Sequence, residues 1–271
     1  MASILCLSEM GRLLPIGSRL KNEGHIVKVF LRGGDQRVLK GQRNPGRLTA
    51  TPRMLEQYDL ILGESNTFDL CEGRVVMGSN PVTYKLNKDP EYQQKVLDYL
   101  YGSQSPVEGI PLRLTGWVGL KGFTSLVLLS LPSYYFMDGS KGALTEGMGS
   151  LCTYLDEGSK LRETLHPFSE YLMKAKYQGP FSLTLQVKGD LWKIQMVDTH
   201  FIPEDLLAGV ELMKTSLFEF LFDLLEEGKK GEAWKGLGIS VTTSVPPWPY
   251  LGAPIEGSYV EVPDPARKHF S

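Results

Sequence analysis

The sequence predicts an α/β fold that turns α+β in its second part. Three patterns predict it: an opening strand–turn–helix–strand, further short apolar strands in the first third, and later strands grouped around a hairpin and amphipathic helices. Residues 3–7 are a short apolar run, a turn follows at Gly11, and residues 13–20 have helical spacing. Gly24 stands where a helix C-cap belongs, and residues 25–31 return as an alternating strand, which completes a βαβ unit. Residues 59–62 and 74–77 read as two more strands. Repeated parallel units of this kind predict a Rossmann-like domain over residues 1–101. Residues 32–52, rich in Gly, Arg and Lys, read as a surface loop.

Residues 89–101 carry helical periodicity through Tyr92, Val96, Leu97 and Leu100, and the turn-rich stretch 102–111 marks the expected boundary with a second domain, 102–271. In that domain residues 123–131 read as a strand and 161–176 as a helix. Residues 181–187 and 192–197 form a hairpin around Lys188-Gly189-Asp190. A helix is expected over 204–227 and a late strand over 238–243, before a Pro- and Trp-rich ending.

Composition narrows the function classes. With 271 residues and 42% hydrophobic side chains the chain buries a sizeable core. Its net charge of -2 gives no global positive field for a phosphate polymer, so a nucleic-acid partner is not expected. A local basic patch, Arg32, Arg37, Lys40, Arg43, Arg47 and Arg53, is the one feature in its favour, and a solvated loop is its default explanation. The three cysteines, Cys6, Cys71 and Cys152, match neither a disulfide framework nor a zinc site. No signal peptide or membrane-spanning run is read, and a cytoplasmic protein is expected.

Two segments could carry chemistry. In the first βα turn, Ser8-Glu9-Met10-Gly11-Arg12, backbone N–H groups at a helix start and an arginine favour a phosphate or carboxylate. The competing reading is a turn that needs Gly11 and a solvated Arg12. The second segment runs from Asp138 to Ser150, where four glycines let backbone approach a ligand while Asp138, Lys141, Thr145 and Glu146 supply charge and hydrogen bonds. Its composition alone also fits a structural loop.

The order of residues in this second segment, with Met148 between Gly147 and Gly149, resembles the G-D-x-G-x-x-T-G-G-M-G segment of glycinamide ribonucleotide synthetase (phosphoribosylamine–glycine ligase), an ATP-grasp enzyme family. The resemblance continues in collinear order. Gly11-Arg12 is similar to the end of the family's first turn, Gly63-Glu64-Ser65 to its G-P-E, Tyr177-Gln178-Gly179 to its Y-x-G, and residues 196–204 to its E-F-N-x-R-F-G-D-P-E. It implies an ATP-grasp-like fold with an N-terminal Rossmann-like domain. It also implies a cleft in which Asp138, Glu146 and Asp198 are candidate catalytic groups. Gly11, Arg12, Glu64, Lys141, Thr145, Gly147, Met148, Gly149 and His200 are then candidate ligand contacts.

The same resemblance shows departures. Gly109-Ile110-Pro111, similar to the family's G-I-P, lies fewer than about thirty residues before Asp138, too close for the ATP-clamping small subdomain, most of which is expected to be absent. The stretch 116–123 reads as the start of the strand after that deletion, with Lys121 at the surface. Where the family has Glu, Asn and Arg, this chain has Met196, Asp198 and His200. Met196 cannot coordinate Mg²⁺ and reads as core filling. No metal site is therefore expected, and ATP and Mg²⁺ binding are expected to be lost or weak. The partners that remain are a small amino-acid, phosphosugar or nucleotide-like ligand and, as an alternative, a protein. A divergent ligase or aminoacyl-transfer enzyme, or an accessory subunit, are the competing functions.

Overall fold

Strand β1 (Ser3–Ser8) is buried along nearly its whole length, as the centre strand of a parallel sheet must be. The computed structural model describes residues 1–9, 11–31, 55–64, 67–71, 74–137, 141–144, 147–226 and 231–241, with backbone alone at 136–137 and 141–144. β2 (Ile26–Leu31) and β3 (Leu60–Gly63) flank β1, both parallel to it. Helix α1 (Leu14–Asn22) makes the crossover with Pro15 in its first turn. Beyond its end the Gly24 N–H donates to the Lys21 carbonyl and the His25 N–H to that of Leu20. The opening βαβ unit matches the sequence pattern.

Residues 74–77 do not form the expected strand. Only a single parallel bridge joins Met77 to Leu62, because the chain turns away at Gly78, whose φ is +89°. A Cβ on Gly78 would stand 2.5 Å from the Phe201 ring and 2.8 Å from the Gly63 carbonyl oxygen. Next comes α2 (Pro81–Lys88), absent from the sequence reading although its start is well marked. Asn80 accepts from the Thr83 N–H while Thr83 accepts from the Asn80 N–H, a capping box, with Pro81 following. Asp89 ends α2 and caps α3 (Pro90–Tyr101), accepting from the Tyr92 N–H.

The second sheet is antiparallel and has six strands. β4 (Ile110–Gly119) begins inside the stretch read as a connection, because it opens with Ile110-Pro111 and a proline there reads as a turn. Residues 116–123 are the hairpin between β4 and β5 (Gly122–Pro132), with Lys121 exposed at its tip. β6 (Tyr135–Met137) and β7 (Lys141–Leu144) make a small separate hairpin, and β8 (Gly149–Tyr154) returns to the main sheet. The segment 138–150 is thus partly strand. Pro167 lacks an N–H and interrupts the helix expected over 161–176, leaving α4 (Lys160–Glu163) and α5 (Pro167–Lys174). The hairpin of β9 (Gly179–Lys188) and β10 (Leu191–Asp198) matches its expectation.

The helix expected over 204–227 is two helices, α6 (Pro203–Val210) and α7 (Leu217–Glu226). Between them Met213 bridges to Ala233, and α7 starts where Glu23, at the end of α1, accepts from the N–H groups of Leu217 and Phe218, both at 3.0 Å. β11 (Gly238–Val241) completes the strand order β10-β9-β4-β5-β8-β11.

The second sheet has two unlike faces. One packs Leu114, Val127, Phe181 and Leu183 against Leu97, Phe168 and Leu172 of the helices over it. Trp117, Leu126 and Phe201 instead join α6, α7, α1 and the first sheet in one continuous core. The outer edge of β10 is covered by Gln93, which accepts from the Val197 N–H at 3.3 Å and donates to its carbonyl at 3.1 Å.

Gly78→Ala should destabilise the protein by about 2–5 kcal/mol, since it adds both backbone strain and overpacking. Urea unfolding at constant m-value checks this, and a change under ~1 kcal/mol would mean that Phe201 gives way freely.

Candidate functional site

Side chains two residues apart on a strand share a face, and on the second sheet this rule gathers polar residues from five strands. Arg113 on β4 is level with Thr184 on β9 and Ser130 on β5, and Ser130 is level with Cys152 on β8. One pleat along, Thr115 is level with Ser182, and Ser182 with Asp198 on β10. Thr115 and Ser182 hydroxyls lie 2.8 Å apart. α6 packs over the β5–β8 end of this polar stripe, and its residues Arg113, Thr115, Ser130, Cys152, Ser182 and Thr184 are buried.

Arg113 is its centre. Its Nη1 donates to Asp205 Oδ2 of α6 at 2.8 Å, and its Nη2 donates to the Tyr134 hydroxyl. The two side chains of the ion pair are 7% and 2% exposed. Burial acts to lower the Arg113 pKa, but the Asp205 carboxylate outweighs it and holds the guanidinium charged. Arg113 Nε, Asp205 Oδ1 and Thr184 Oγ1 are buried without a hydrogen-bond partner. Cys152 lies beside the pair, its Sγ 3.4 Å from the hydroxyls of Ser130 and Ser150, and burial pushes its thiol up, which makes it a poor nucleophile.

At the end of β10, Asp198 Oδ1 accepts from the His200 backbone N–H at 2.8 Å and lies 2.6 Å from His200 Nδ1. Burial acts to raise the Asp198 pKa, but the His200 hydrogen bonds and the Arg113 charge outweigh it and bring the carboxyl below its ordinary range. His200 Nε2 lies 3.5 Å from Asn87 Nδ2, and Asn87 also donates to Thr199 at 2.7 Å. Phe201 then packs on Gly78, so this pair sits where the two sheets meet.

The first βα turn forms a second group at the same junction. Glu64 follows β3 and is 1% exposed; its Oε2 accepts from the Ser8 hydroxyl at 2.8 Å and its Oε1 from the Glu9 N–H at 2.7 Å. Both carboxylate oxygens thus brace the turn. Gly11, at φ +83°, lets the chain enter α1, whose first turn has no side-chain cap, and Arg12 is exposed. The Leu13 N–H donates to the Ser8 hydroxyl at 3.4 Å, the Leu14 N–H to the Gly11 carbonyl at 3.0 Å, and Pro15 has no N–H, so of the expected anion contact only the exposed Arg12 is left.

In the segment singled out by its glycines, Met148 donates its N–H to the Ser133 carbonyl at 2.8 Å, which fixes the entry to β8. Gly149 serves packing, since a Cβ there would stand 2.2 Å from the Ser240 carbonyl of β11. Gly147 is open toward Glu204, with 3.3 Å between a Cβ and Oε1. Asp138, Thr145, Glu146 and the side chain of Lys141 lie outside the described residues, as do the basic residues Arg32 to Arg53 and the tail after residue 241. The structure therefore brings Asp198 to His200 and joins Glu64 to the Gly11 turn. Arg113, Asp205, Tyr134 and Asn87 were missed by sequence reasoning. The period-two run Arg113–Thr115, repeated at Ser182–Thr184, is the signal that could have found the stripe.

Comparison with solved structures decides the fold. Phosphoribosylamine–glycine ligase of Thermotoga maritima matches with a TM-score of 0.59 at 14% identity, over 89% of this chain and 80% of that one. N5-carboxyaminoimidazole ribonucleotide synthetase of Thermus thermophilus matches with a TM-score of 0.57 at 15% identity, over 89% and 82%. Phosphoribosylglycinamide synthetase of Anaerococcus prevotii matches with 0.58 at 8% identity, over 88% and 80%. The fold is ATP-grasp-like. No family model matches the sequence, and no curated protein matches it.

Within this ATP-grasp-like frame one expected carboxylate position holds Met196, while Asp138 and Glu146 lie outside the described residues. Met196, where the resemblance places a carboxylate, is 41% exposed rather than core filling, and a thioether is no ligand for Mg²⁺. Among the described residues no group of three or more His, Cys, Asp or Glu side chains could hold a metal ion. Nor is any described helix long and apolar enough to cross a membrane.

Arg113→Met should cost about 3–5 kcal/mol, because it strands a buried carboxylate, whereas Arg113→Met with Asp205→Leu should fall within about 1–2 kcal/mol of the parent. A double-mutant cycle by urea unfolding measures the coupling; additive losses would remove the ion pair as a unit. A second expectation concerns acid. The Asp198 pKa is lowered in the fold, so its stabilisation is complete above the ordinary Asp value and is lost as pH falls through the lowered one. The stability gap between the parent and Asp198→Asn should be level near pH 7 and close toward pH 2, within the range of about pH 5 to 1 over which such carboxylates titrate. A gap independent of pH would contradict it.

Proposed function

We propose that this chain is an ATP-grasp-like ligand-binding protein that holds a small amino-acid, phosphosugar or nucleotide-like molecule at the junction of its two sheets and lacks ordinary ATP-dependent ligation. The observation that carries this reading is the link between α3 and β4. Residues 102–109 alone join them, and the chain passes directly into the antiparallel sheet. An ATP clamp needs its own small subdomain to hold phosphates from above, and no room is left for one at this point in the chain. Without those clamps a phosphoryl group loses most of the electrostatic stabilisation that its transfer needs. The exposed Arg12 beside the first βα turn supports an anionic group on the ligand.

A second reading, a divergent ligase or aminoacyl-transfer enzyme, is favoured by the Asp198–His200 pair. With Nδ1 donating to the carboxylate, Nε2 is the accepting nitrogen, and a reacting proton would have to take the place of the Asn87 amide 3.5 Å from it.

Thermal-shift titration with glycine, ribose 5-phosphate, ATP with Mg²⁺ and duplex DNA separates these readings. A ligand held at a hundred times its Kd adds about 2.7 kcal/mol, a shift of several degrees. Glycine or ribose 5-phosphate is expected to raise the midpoint and ATP with Mg²⁺ to leave it unmoved. Micromolar stabilisation by ATP with Mg²⁺ would overturn the proposal. Turnover of a bound ligand, abolished by Asp198→Asn or His200→Gln, would transfer support to the enzyme reading.

A further inference from the structure

We infer that the bare half of the second sheet's apolar face is a docking site for this chain's own segment 245–251, whose Trp248 and Tyr250 cover Leu131, Leu151 and Ile239.

One apolar row crosses the sheet on the face that α3 and α5 cover. Ile194 of β10 is level with Leu185 of β9, and Leu185 with Leu112 of β4. Because Arg113 is level with Ser130, Leu112 falls beside Leu131 of β5. Leu131 is level with Leu151 of β8, and Leu151 with Ile239 of β11. Leu97 of α3 and Phe168 and Leu172 of α5 pack over the start of the row, where Ile194 is 4% and Leu185 0% exposed. Past β4 that cover stops. Leu131 is 43%, Leu151 36% and Ile239 70% exposed, and Val241, two residues on and so on the same face, is 81% exposed. The other face of these strands is closed by α6, since a Cβ on Gly238 would stand 2.2 Å from the Ala208 carbonyl oxygen. A contiguous apolar row left in water marks a contact surface.

The residues after 241 lie outside the described residues, and their sequence fits this row. β11 ends at Val241 on the outermost strand of the bare half, so residue 242 starts beside it. Ile239 and Leu131 are two strand spacings apart, about 10 Å, which a handful of residues spans. Thr242 to Ile255 contains no charged residue, and within it Val245, Trp248, Tyr250 and Leu251 are apolar or aromatic. Pro246, Pro247 and Pro249 lack the N–H that a further strand would need, so this segment is suited to cover the face with side chains rather than to extend the sheet. A second copy of the chain is the weaker occupant. Four exposed aliphatic side chains offer on the order of a few hundred Å², short of the roughly 800 Å² per partner of a stable interface, whereas a tethered segment docks at high effective concentration.

Fluorine NMR of the full chain labelled with 5-fluorotryptophan tests this, since there are four tryptophans and Trp248→Phe identifies the resonance of the segment. A soluble gadolinium chelate should broaden Trp234, which is 63% exposed, and leave Trp248 as protected as Trp117, which is 1% exposed. Leu151→Asp with Ile239→Asp sets unpaired charge against the segment and should raise the broadening at Trp248 about threefold or more, with Trp117 unchanged. Parent Trp248 broadened as strongly as Trp234 overturns the inference, and so does protection that survives both substitutions in a folded chain. Protection that fades on dilution, together with a dimeric mass by light scattering, assigns the face to a second copy and overturns it as well. Should the doubly substituted chain not fold, Trp248→Ser replaces it. A rise of about threefold or more in anilinonaphthalene sulfonate fluorescence over the parent then supports the inference, and fluorescence equal to the parent's overturns it.

Discussion

Everything at the centre of this molecule depends on how closely its two sheets approach one another. At Gly78 the chain leaves the first sheet with a positive φ, its N–H donating to the Gln178 carbonyl at 2.8 Å, and Phe201 fills the space where a side chain would stand. Gly179 meets the same backbone from β9, with 2.6 Å between a Cβ and the Gly78 nitrogen. Backbones in such contact cannot slide without opening the continuous core of Trp117, Phe201, Phe220 and the first-sheet strands. Glu64 and His200 each lie one residue from this junction, so the two polar groups owe their proximity to it.

The second sheet spends its two faces differently. The face under α3 and α5 is apolar and supplies packing, while the face under α6 carries an ion pair, hydroxyls and a thiol. Buried ion pairs add little net stability, since desolvation offsets their attraction, but they penalise any arrangement that separates the partners. Arg113 and Asp205 therefore bind α6 to β4 in one orientation. That orientation also sets the charge felt by Tyr134 and Asp198.

Local patterns made much of the fold legible. The βαβ opening, α3 and the β9–β10 hairpin follow from periodicity, caps and turns, all of which act within a few residues. Pro167 would have split one helix had its missing N–H been weighed against the apolar spacing on either side. The start of β4 was obscured because it opens with Ile110-Pro111, and a proline there reads as a turn. Met196 was read as core because strand methionines usually are, yet β10 is an edge strand, which leaves that side chain partly exposed on the face it shares with Thr184 and Asp198.

By itself the sequence determined the βαβ opening, α3, the β9–β10 hairpin and the resemblance to an ATP-grasp-like fold. Only the tertiary structure decided which charges meet. Arg113 and Asp205 are 92 residues apart, and Ser8 and Glu64 are 56 apart. No local propensity encodes such a pairing: it arises when strand register and helix packing bring desolvated groups together, where each must find an opposite charge or a hydrogen bond.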